Sequence, residues 1–346
     1  MEIKVDEAYI LKVMEEIINT PSPVGYYEEA NRALEKYLEP FGLVPFYDER
    51  HTAYVKFEGE DTSRTVLVDA HMDTLGLCVH HIEQDGSIKL KSLGGNNFHS
   101  LEGEKMYLKT MDGRTYTGYI TCLSHSVHVF DDARTMERND ENMRLMLDED
   151  VSCAEDVRAL GIHNGDVISA EPHFEHMENG RIRSRFIDNK GAVAASLAAI
   201  KYLTENHLKP KYNTLFSFNY YEELGFGGGY VPPEVSEYVA LDIGVIGPDH
   251  DSNEKSVAII AKDKKGPYDR ELTRRLVEKA EKAGINYTVE VFNRYSTDAM
   301  AAFVAGNNIK AAAFGMTVYS SHGMERTFDR SIFDTAKLTI AYVLDI

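Results

Sequence analysis

Two histidines and a group of carboxylates stand where short apolar runs of this chain stop. Residues 65–70, Thr-Val-Leu-Val-Asp-Ala, stop at His71-Met72-Asp73. Asp188 follows residues 184–187 and precedes a helical pattern, residues 214–220 end in Glu222-Glu223, and residues 237–241 end in Asp242. Residues 309–315 lead through a short loop to His322. Imidazole and carboxylate without thiolate suit a catalytic rather than a structural metal site, with zinc first and cobalt or manganese as the other fits. Two divalent metal ions side by side need one shared carboxylate and terminal ligands on each flank. Asp188 can bridge, with His71 and Asp242 serving one ion and Glu223 and His322 the other. On an extended segment His71 and Asp73 face the same way, so Asp73 can bond the ring nitrogen that His71 does not give to the metal. Neighbouring side chains on extended backbone point apart, so Glu222 and Glu223 must divide the work. One binds metal, and the other can act on an acidified water as general base and then return the proton to a leaving amine.

Each piece alone has an ordinary reading. A His-x-Asp is most often a surface or core pair, adjacent glutamates a solvated patch, Asp188 a helix N-cap and Asp242 a turn residue. Their joint occurrence at strand ends points to one site, because ligands of open α/β sheets collect outside the carboxyl ends of the strands. His80, His81, His125 and His128 lack that context and read as structural or surface residues. Gly225, Gly227, Gly228 and Gly229 read as a tight turn beside the site rather than a phosphate nest. No G-x-S-x-G, P-loop or H-E-x-x-H occurs, and adjacent Glu222-Glu223 does not supply the separated carboxylates of a glycosidase.

The elements that must position these groups alternate between strand and helix. Tyr9, Ile10, Val13, Met14, Ile17 and Ile18 recur at helical spacing behind Asp6 as N-cap, and Pro21 and Pro23 end that helix. A second helix is expected over residues 26–38, closed by Gly42, and a hairpin-like stretch over residues 53–57. Apolar runs at 65–70, 214–220, 237–243 and 309–315 alternate with helical patterns at 190–203, 268–283 and 331–344. This is the signature of an α/β fold, a mostly parallel sheet with helices on both faces. Residues 77–172 differ. Their short alternating runs, at 87–90, 106–110 and 116–122, are punctuated by Asp85-Gly86, Gly94-Gly95 and Asp112-Gly113, with one helical candidate at 154–160. An inserted antiparallel β domain over 77–172, dividing a catalytic domain of residues 1–76 and 173–346, follows from that change of pattern.

The chain has 346 residues, 43% hydrophobic and 27% charged, the balance of a folded protein of one large or two ordinary domains. With 37 basic and 56 acidic side chains the net charge is −19, which disfavours nucleic acid and anionic membrane as partners. Cys78, Cys122 and Cys153 have no CxxC spacing and encode neither a disulfide framework nor a thiolate zinc site. Residues 1–20 carry no signal-peptide core, and no apolar run is long enough to span a membrane. A reducing, cytoplasmic location is expected.

Taken together the motifs resemble the TET-type, glutamyl and deblocking aminopeptidases, a family of co-catalytic di-metal peptidases, over nearly the whole chain. The resemblance runs through Pro21-Ser22-Pro23 with Gly25 and Glu28, Ala70-His71-Met72-Asp73 with Gly76, Gly161-Ile162 and Gly165-Asp166. It continues through Asp188-Asn189-Lys190, Glu222-Glu223-Leu224-Gly225, Asp242, Thr297-Asp298-Ala299, and Ser321-His322 with Glu325. It implies His71, Asp188, Glu223, Asp242 and His322 as ligands of two divalent ions, Glu222 as general base and Asp73 in support. It further implies a β-barrel-like insert that helps build hollow homo-oligomers, commonly tetrahedral dodecamers assembled from dimers. Three positions depart from the family pattern: Thr74 replaces a common acidic residue, Lys190 replaces an arginine with Gly191 one place early, and Ser296 replaces a glycine.

The expectation is therefore a metal-dependent aminopeptidase that removes the N-terminal residue of short peptides. A di-metal amidohydrolase acting on an N-acyl or specialised dipeptide-like substrate is the second reading, left open by Thr74 and Gly191. A non-catalytic oligomeric binding protein on the same scaffold is the third, and the full ligand set argues against it.

Overall fold

The computed structural model describes residues 3–346; residues 1 and 2, which open the expected catalytic domain, lie outside the described residues. Two compact units are present, one running to Thr74 and resuming over His173–Ile346, the other Leu75–Pro172.

The first unit is built on a mixed sheet. Its four middle strands lie in the spatial order Tyr212–Phe218, Asp61–Asp69, Val235–Leu241, Lys310–Val318, and all are parallel. Their inner residues are buried almost without a break, as strands covered on both faces must be. Antiparallel neighbours flank them: Ala53–Phe57 beside Tyr212–Phe218, and Val257–Lys262 beside Lys310–Val318. The two faces are unequal. One carries the helices Glu7–Ile18, Glu28–Leu38, Ile187–Glu205, Arg270–Lys282 and Asp329–Leu344, whose apolar residues join the larger core. The other carries the short helix Asp298–Val304 over Leu67, Leu215, Tyr238 and Ala240.

The first helix begins as the sequence pattern requires, with the Asp6 side chain accepting from Tyr9 N at 3.0 Å. Gly42 closes not the second helix itself but the 3₁₀ turn Glu39–Phe41 that continues it, at φ +68°. Helix Ile187–Glu205 is apolar nearly all round and packs between Glu7–Ile18 and Asp329–Leu344. Gly191 suits that position, since a Cβ there would stand 2.8 Å from Met316 Cε on the adjacent strand.

A second, three-stranded antiparallel sheet joins Glu175–His176, Arg181–Ser184 and Glu325–Phe328. Of the run 184–187 before Asp188 only Ser184 is strand, and it belongs to this small sheet and not to the parallel one, a correction to the picture of one row of strand ends. Propensity alone does not distinguish the two, because short strands read alike and only their pairing partners differ.

The second unit is a closed six-stranded antiparallel barrel. Its spatial order is Gly76–Ile82, Ile88–Leu93, Met143–Leu147, Thr115–Cys122, Lys105–Lys109, Val167–Ala170, with the last strand paired back onto the first. Leu77, Val79, Leu90, Leu108, Ile120, Leu145 and Ile168 are buried. Asp85-Gly86 and Asp112-Gly113 form turns with the glycines at φ +81° and +88°. No helix among the described residues is long and apolar enough to cross a membrane.

Candidate active site

His71 lies just beyond strand Asp61–Asp69, where the parallel ladder continues as Ala70 N donates to Ser217 O (3.0 Å) and Met72 N to Asn219 O (2.8 Å). The extended backbone sets His71 and Asp73 on one side. His71 Nδ1 is 3.1 Å from the Asp73 carbonyl oxygen and 3.4 Å from Asp73 Oδ1. A carbonyl only accepts, so Nδ1 bears the proton and Nε2 is left to face the site. Nε2 lies 3.3 Å from Asp188 Oδ1 and 3.8 Å from Glu222 Oε2.

Asp188 presents its two oxygens to two different imidazoles. Its Oδ2 is 3.7 Å from His322 Nε2, and His322 Nε2 is in turn 3.4 Å from Glu223 Oε2. Donor atoms of His71, Asp188 and Glu223 all fall within 4.8 Å of one another. Asp242 enters from the end of strand Val235–Leu241. Its N donates to Phe314 O at 3.0 Å, and the close approach requires glycine at 315, where a Cβ would stand 2.2 Å from Asp242 O. The Asn189 side chain ties the Asp188 segment to this strand by donating to Leu241 O at 2.7 Å.

Glu222 and Glu223 do not lie on extended backbone as the sequence reasoning assumed. They open a 3₁₀ turn, Glu222–Leu224, closed by Gly225 at φ +77°. Three residues per turn separates adjacent side chains by about a third of a circle, so they still diverge, for a different geometric reason. The turn is clamped from below by Asp73: Glu222 N donates to Asp73 Oδ1 (3.2 Å) and Glu223 N to Asp73 Oδ2 (3.1 Å). Asp73 thus acts on the glutamates as well as on His71.

Glu325 performs the matching task on the other flank. Asp188 N donates to Glu325 Oε2 (3.0 Å) and His322 N to Oε1 (3.1 Å), so one buried carboxylate fixes two backbone segments. The small sheet makes this possible by pairing Glu325 with Ser184. Deeper still, Asn219 donates to Asp69 Oδ2 (3.1 Å) and Asp298 Oδ2 (2.6 Å), and its own oxygen accepts from Tyr221 N (3.2 Å). Asp298 Oδ1 also accepts from Gly228 N at 2.7 Å, anchoring the glycine turn. Sequence reasoning assigned no role to Asn219, Asp69 or Glu325. Asp69 and Asn219 leave only the signal of a polar residue within or at the end of a buried apolar run, and Glu325 only its place in the motif Ser321-His322 with Glu325.

The electrostatics are those of carboxylates crowded out of water. Burial first, then mutual repulsion, raises Glu222, Glu223 and Asp242 well above the ordinary carboxylate range. Burial alone would lower His71, but Asp188 and Asp73 outweigh it and raise the imidazole well above its usual value. Asp188, opposed by burial, is held low by His71 and His322. Protons and cations are alternative ways to neutralise such a cluster, and a hard or borderline divalent ion suits its oxygen and nitrogen donors. The residues present therefore fit a divalent metal.

Two of the departures from the family pattern, Lys190 and Thr74, have local reasons, and Ser296 has none. Lys190 is fully buried, its Nζ donating to Ile17 O (2.9 Å) and Thr20 O, in the last turn of the first helix and just beyond it. Burial, partly offset by Asp73, pushes its ammonium down to about 7. Thr74 is buried and its N donates to Ser22 O at 2.9 Å, placing it in the brace formed by Pro21-Ser22-Pro23. Ser296 Oγ is buried and has no hydrogen-bond partner among the described residues.

The sequence profile of the M42 glutamyl aminopeptidases matches residues 52–338. The chain belongs to this family. YhfE of Bacillus subtilis, whose name marks it as a candidate aminopeptidase, is 38% identical over 96% of each chain. The lysyl aminopeptidase of Pyrococcus furiosus is 25% identical over 67% of this chain and 66% of its own. Among solved structures, the TET aminopeptidase of a marine sediment thaumarchaeon superposes with TM-score 0.88 at 17% identity, covering 98% of this chain and 97% of its own. The TET1 peptidase of Pyrococcus horikoshii, described as assembling into a tetrahedron or a large octahedral shell, does so with TM-score 0.85 at 23% identity, covering 97% and 100%. The M42 assignment makes the chain a peptide hydrolase of aminopeptidase type and agrees with its α/β-plus-barrel architecture.

Proposed function

We propose that this M42 chain removes the N-terminal residue of short peptides in a reaction that depends on two divalent ions, zinc first, with cobalt or manganese as alternatives. The observation that carries the reading is Asp188, whose two oxygens face His71 and His322 separately, the arrangement a shared carboxylate requires. His71 and Asp242 would hold one ion, Glu223 and His322 the other. Such a pair supplies Lewis acidity at the scissile carbonyl and acidifies a water.

The chain's own residues do the rest. Asp73 keeps the His71 proton on Nδ1, and with Glu325 it holds the backbones of Glu222, Glu223, Asp188 and His322. Glu222, 3.8 Å from His71 Nε2 and bearing a raised pKa, accepts the proton of the attacking water and returns it to the departing amine. The barrel unit is assigned to assembly and access control, in homo-oligomers built from dimers and extending to a dodecamer. The TET relatives' shells and the matching fold support this. A cytoplasmic setting agrees with the three unpaired cysteines.

The test is Glu222→Gln, assayed on aminoacyl anilides after chelation and reloading with zinc, cobalt or manganese. Metal content should stay near that of the wild type while turnover falls at least about a hundredfold. Comparable turnover removes Glu222 from the role. Hydrolysis of N-acylated substrates in preference to free amines would replace the aminopeptidase reading with the amidohydrolase one, and a metal-loaded wild type inactive on both would point to a binding protein.

A further inference from the structure

We propose that Arg50 is a positioning residue for Glu222, its guanidinium holding the carbonyl side of the glycine-rich turn that carries this base. The inference rests on the peptide-hydrolysis reading above, in which Glu222 moves the proton. It starts from a segment with little to stiffen it. Gly225, Gly227, Gly228 and Gly229 leave the backbone after Glu223 with wide conformational freedom. Leu224 and Phe226 are 46% and 48% exposed, and a Cβ on Gly225 would meet nothing within 4 Å. Side-chain packing does little for such a turn, so hydrogen bonds must fix it.

Buried acids hold its N–H groups: Asp73 accepts from Glu222 N and Glu223 N, and Asp298 Oδ1 from Gly228 N at 2.7 Å. Arg50 supplies the complementary hold, its Nη2 donating to Phe226 O and to Gly227 O, each at 2.8 Å. The peptide between Gly227 and Gly228 is trans, so its C=O and N–H point in opposite directions. A cation on one end and a carboxylate on the other therefore clamp it from two sides, with charge-assisted bonds at both. Phe226 N in turn donates to Tyr221 O (3.3 Å) and Gly225 N to Glu222 O (2.5 Å), which carries the clamp back to the base.

Sheet register explains why Arg50 stands there. Strand Ala53–Phe57 runs antiparallel to Tyr212–Phe218 with Ala53 opposite Phe218. The turn before Ala53 thus lies beside the chain that leaves Phe218 for Glu222. Asp48 shapes that turn, its Oδ1 accepting from Arg50 N (2.9 Å) and Thr52 N (3.0 Å). The guanidinium is 5.6 Å from the centroid of the Tyr221 ring, which stacks with Phe226 at 5.4 Å. Arg275 and Arg326 pair with Glu237 and Glu254. Arg50 pairs with no carboxylate among the described residues and directs its charge at the two carbonyls. A base acts only when its oxygen meets the water at hydrogen-bond distance, and a displacement of about 1 Å can cost about a hundredfold in rate.

The experiment is a double-mutant cycle on the full-length, metal-loaded protein, with a free-amine dipeptide as substrate. For Arg50→Gln, kcat should fall at least about tenfold with KM within about threefold. Metal content should match the wild type, because Asp73 still holds Glu223. Arg50→Lys, which keeps a cationic donor without the planar fork, should lose only about threefold. In a Glu222→Gln background, Arg50→Gln should change the residual kcat by less than about twofold, since the group it positions is already gone. An Arg50→Gln protein with kcat within about twofold of the wild type overturns the assignment. So does an equal fractional loss in both backgrounds, or a loss in Arg50→Gln and Arg50→Lys alike that tracks lost metal or lost fold. A wild type that turns over no free-amine substrate, or a Glu222→Gln protein as active as the wild type, overturns the underlying reading instead, and neither result involves an Arg50 variant.

Discussion

The substitution Asp73→Asn keeps the shape of a fully buried side chain and removes one of its acceptors. Asp73 receives Glu222 N on one oxygen and Glu223 N on the other, with His71 Nδ1 3.4 Å from the first. An amide offers one oxygen, so in either flip an NH₂ group meets an N–H, and one backbone donor is orphaned. That costs about 1–3 kcal/mol in a buried setting. An opposing effect sets in at the same time, because Asp73 is among the charges that raise Glu223, and removing it relieves repulsion in a crowded cluster. The net loss of stability of the metal-free protein should therefore fall near the low end, about 1–2 kcal/mol. Metal affinity should fall about 10–100-fold, since the imidazole and the glutamate turn lose their common support. Urea unfolding of chelated protein measures the first, and chelator-competition titration with zinc the second. Affinity within about twofold of wild type, with unchanged stability, would refute the clamp.

Two further substitutions probe the framework. Asn219→Ala leaves Asp69 and Asp298 facing each other without the amide between them and orphans Tyr221 N, so a loss of about 3 kcal/mol is expected in urea unfolding; a change below about 0.5 kcal/mol contradicts the network. Lys190→Met tests the buried ammonium, pushed down to about 7 from 10.5. Between those values the unfolded chain binds more protons than the folded one, so wild-type stability should rise with pH through this window and the methionine variant's should not. The difference between the two should shift by a few kcal/mol from pH 7 to pH 10, and a flat difference would show that Lys190 is charged in the fold at both ends.

His71, Asp73, Asp188, Glu222, Glu223 and His322 are brought together from distant segments, and the apolar runs that deliver most of them are visible as runs. The helices with wide apolar faces were legible for the same reason, as was the change to short, Asp-Gly-punctuated strands in the insert. Less visible were the helix Asp298–Val304, seven residues long and alanine-rich, and the strands Val257–Lys262 and Tyr287–Val291. Short elements leave little periodicity to read. Glu222-Glu223 shows how the divergence of two neighbouring side chains can be expected from the wrong backbone, since 3₁₀ and extended geometries both separate them.

The sequence by itself determined the donor types, their order and the alternation of strand and helix, because burial on both faces demands apolar runs and metal chemistry demands imidazole and carboxylate. Only the tertiary structure decided which acids are held in place and which hold others. Asp73 and Glu325 each divide one carboxylate between two backbone donors, Asn219 joins two acids, Lys190 bonds to the last turn of a distant helix, and Tyr295 is left with a hydroxyl and no partner. Those relations are hydrogen bonds across 79 to 173 positions of chain for all but Glu325's bond to His322, which lies three residues away, and the unpartnered Tyr295. Hydrogen bonding depends on distance and direction in space, which local propensity does not encode.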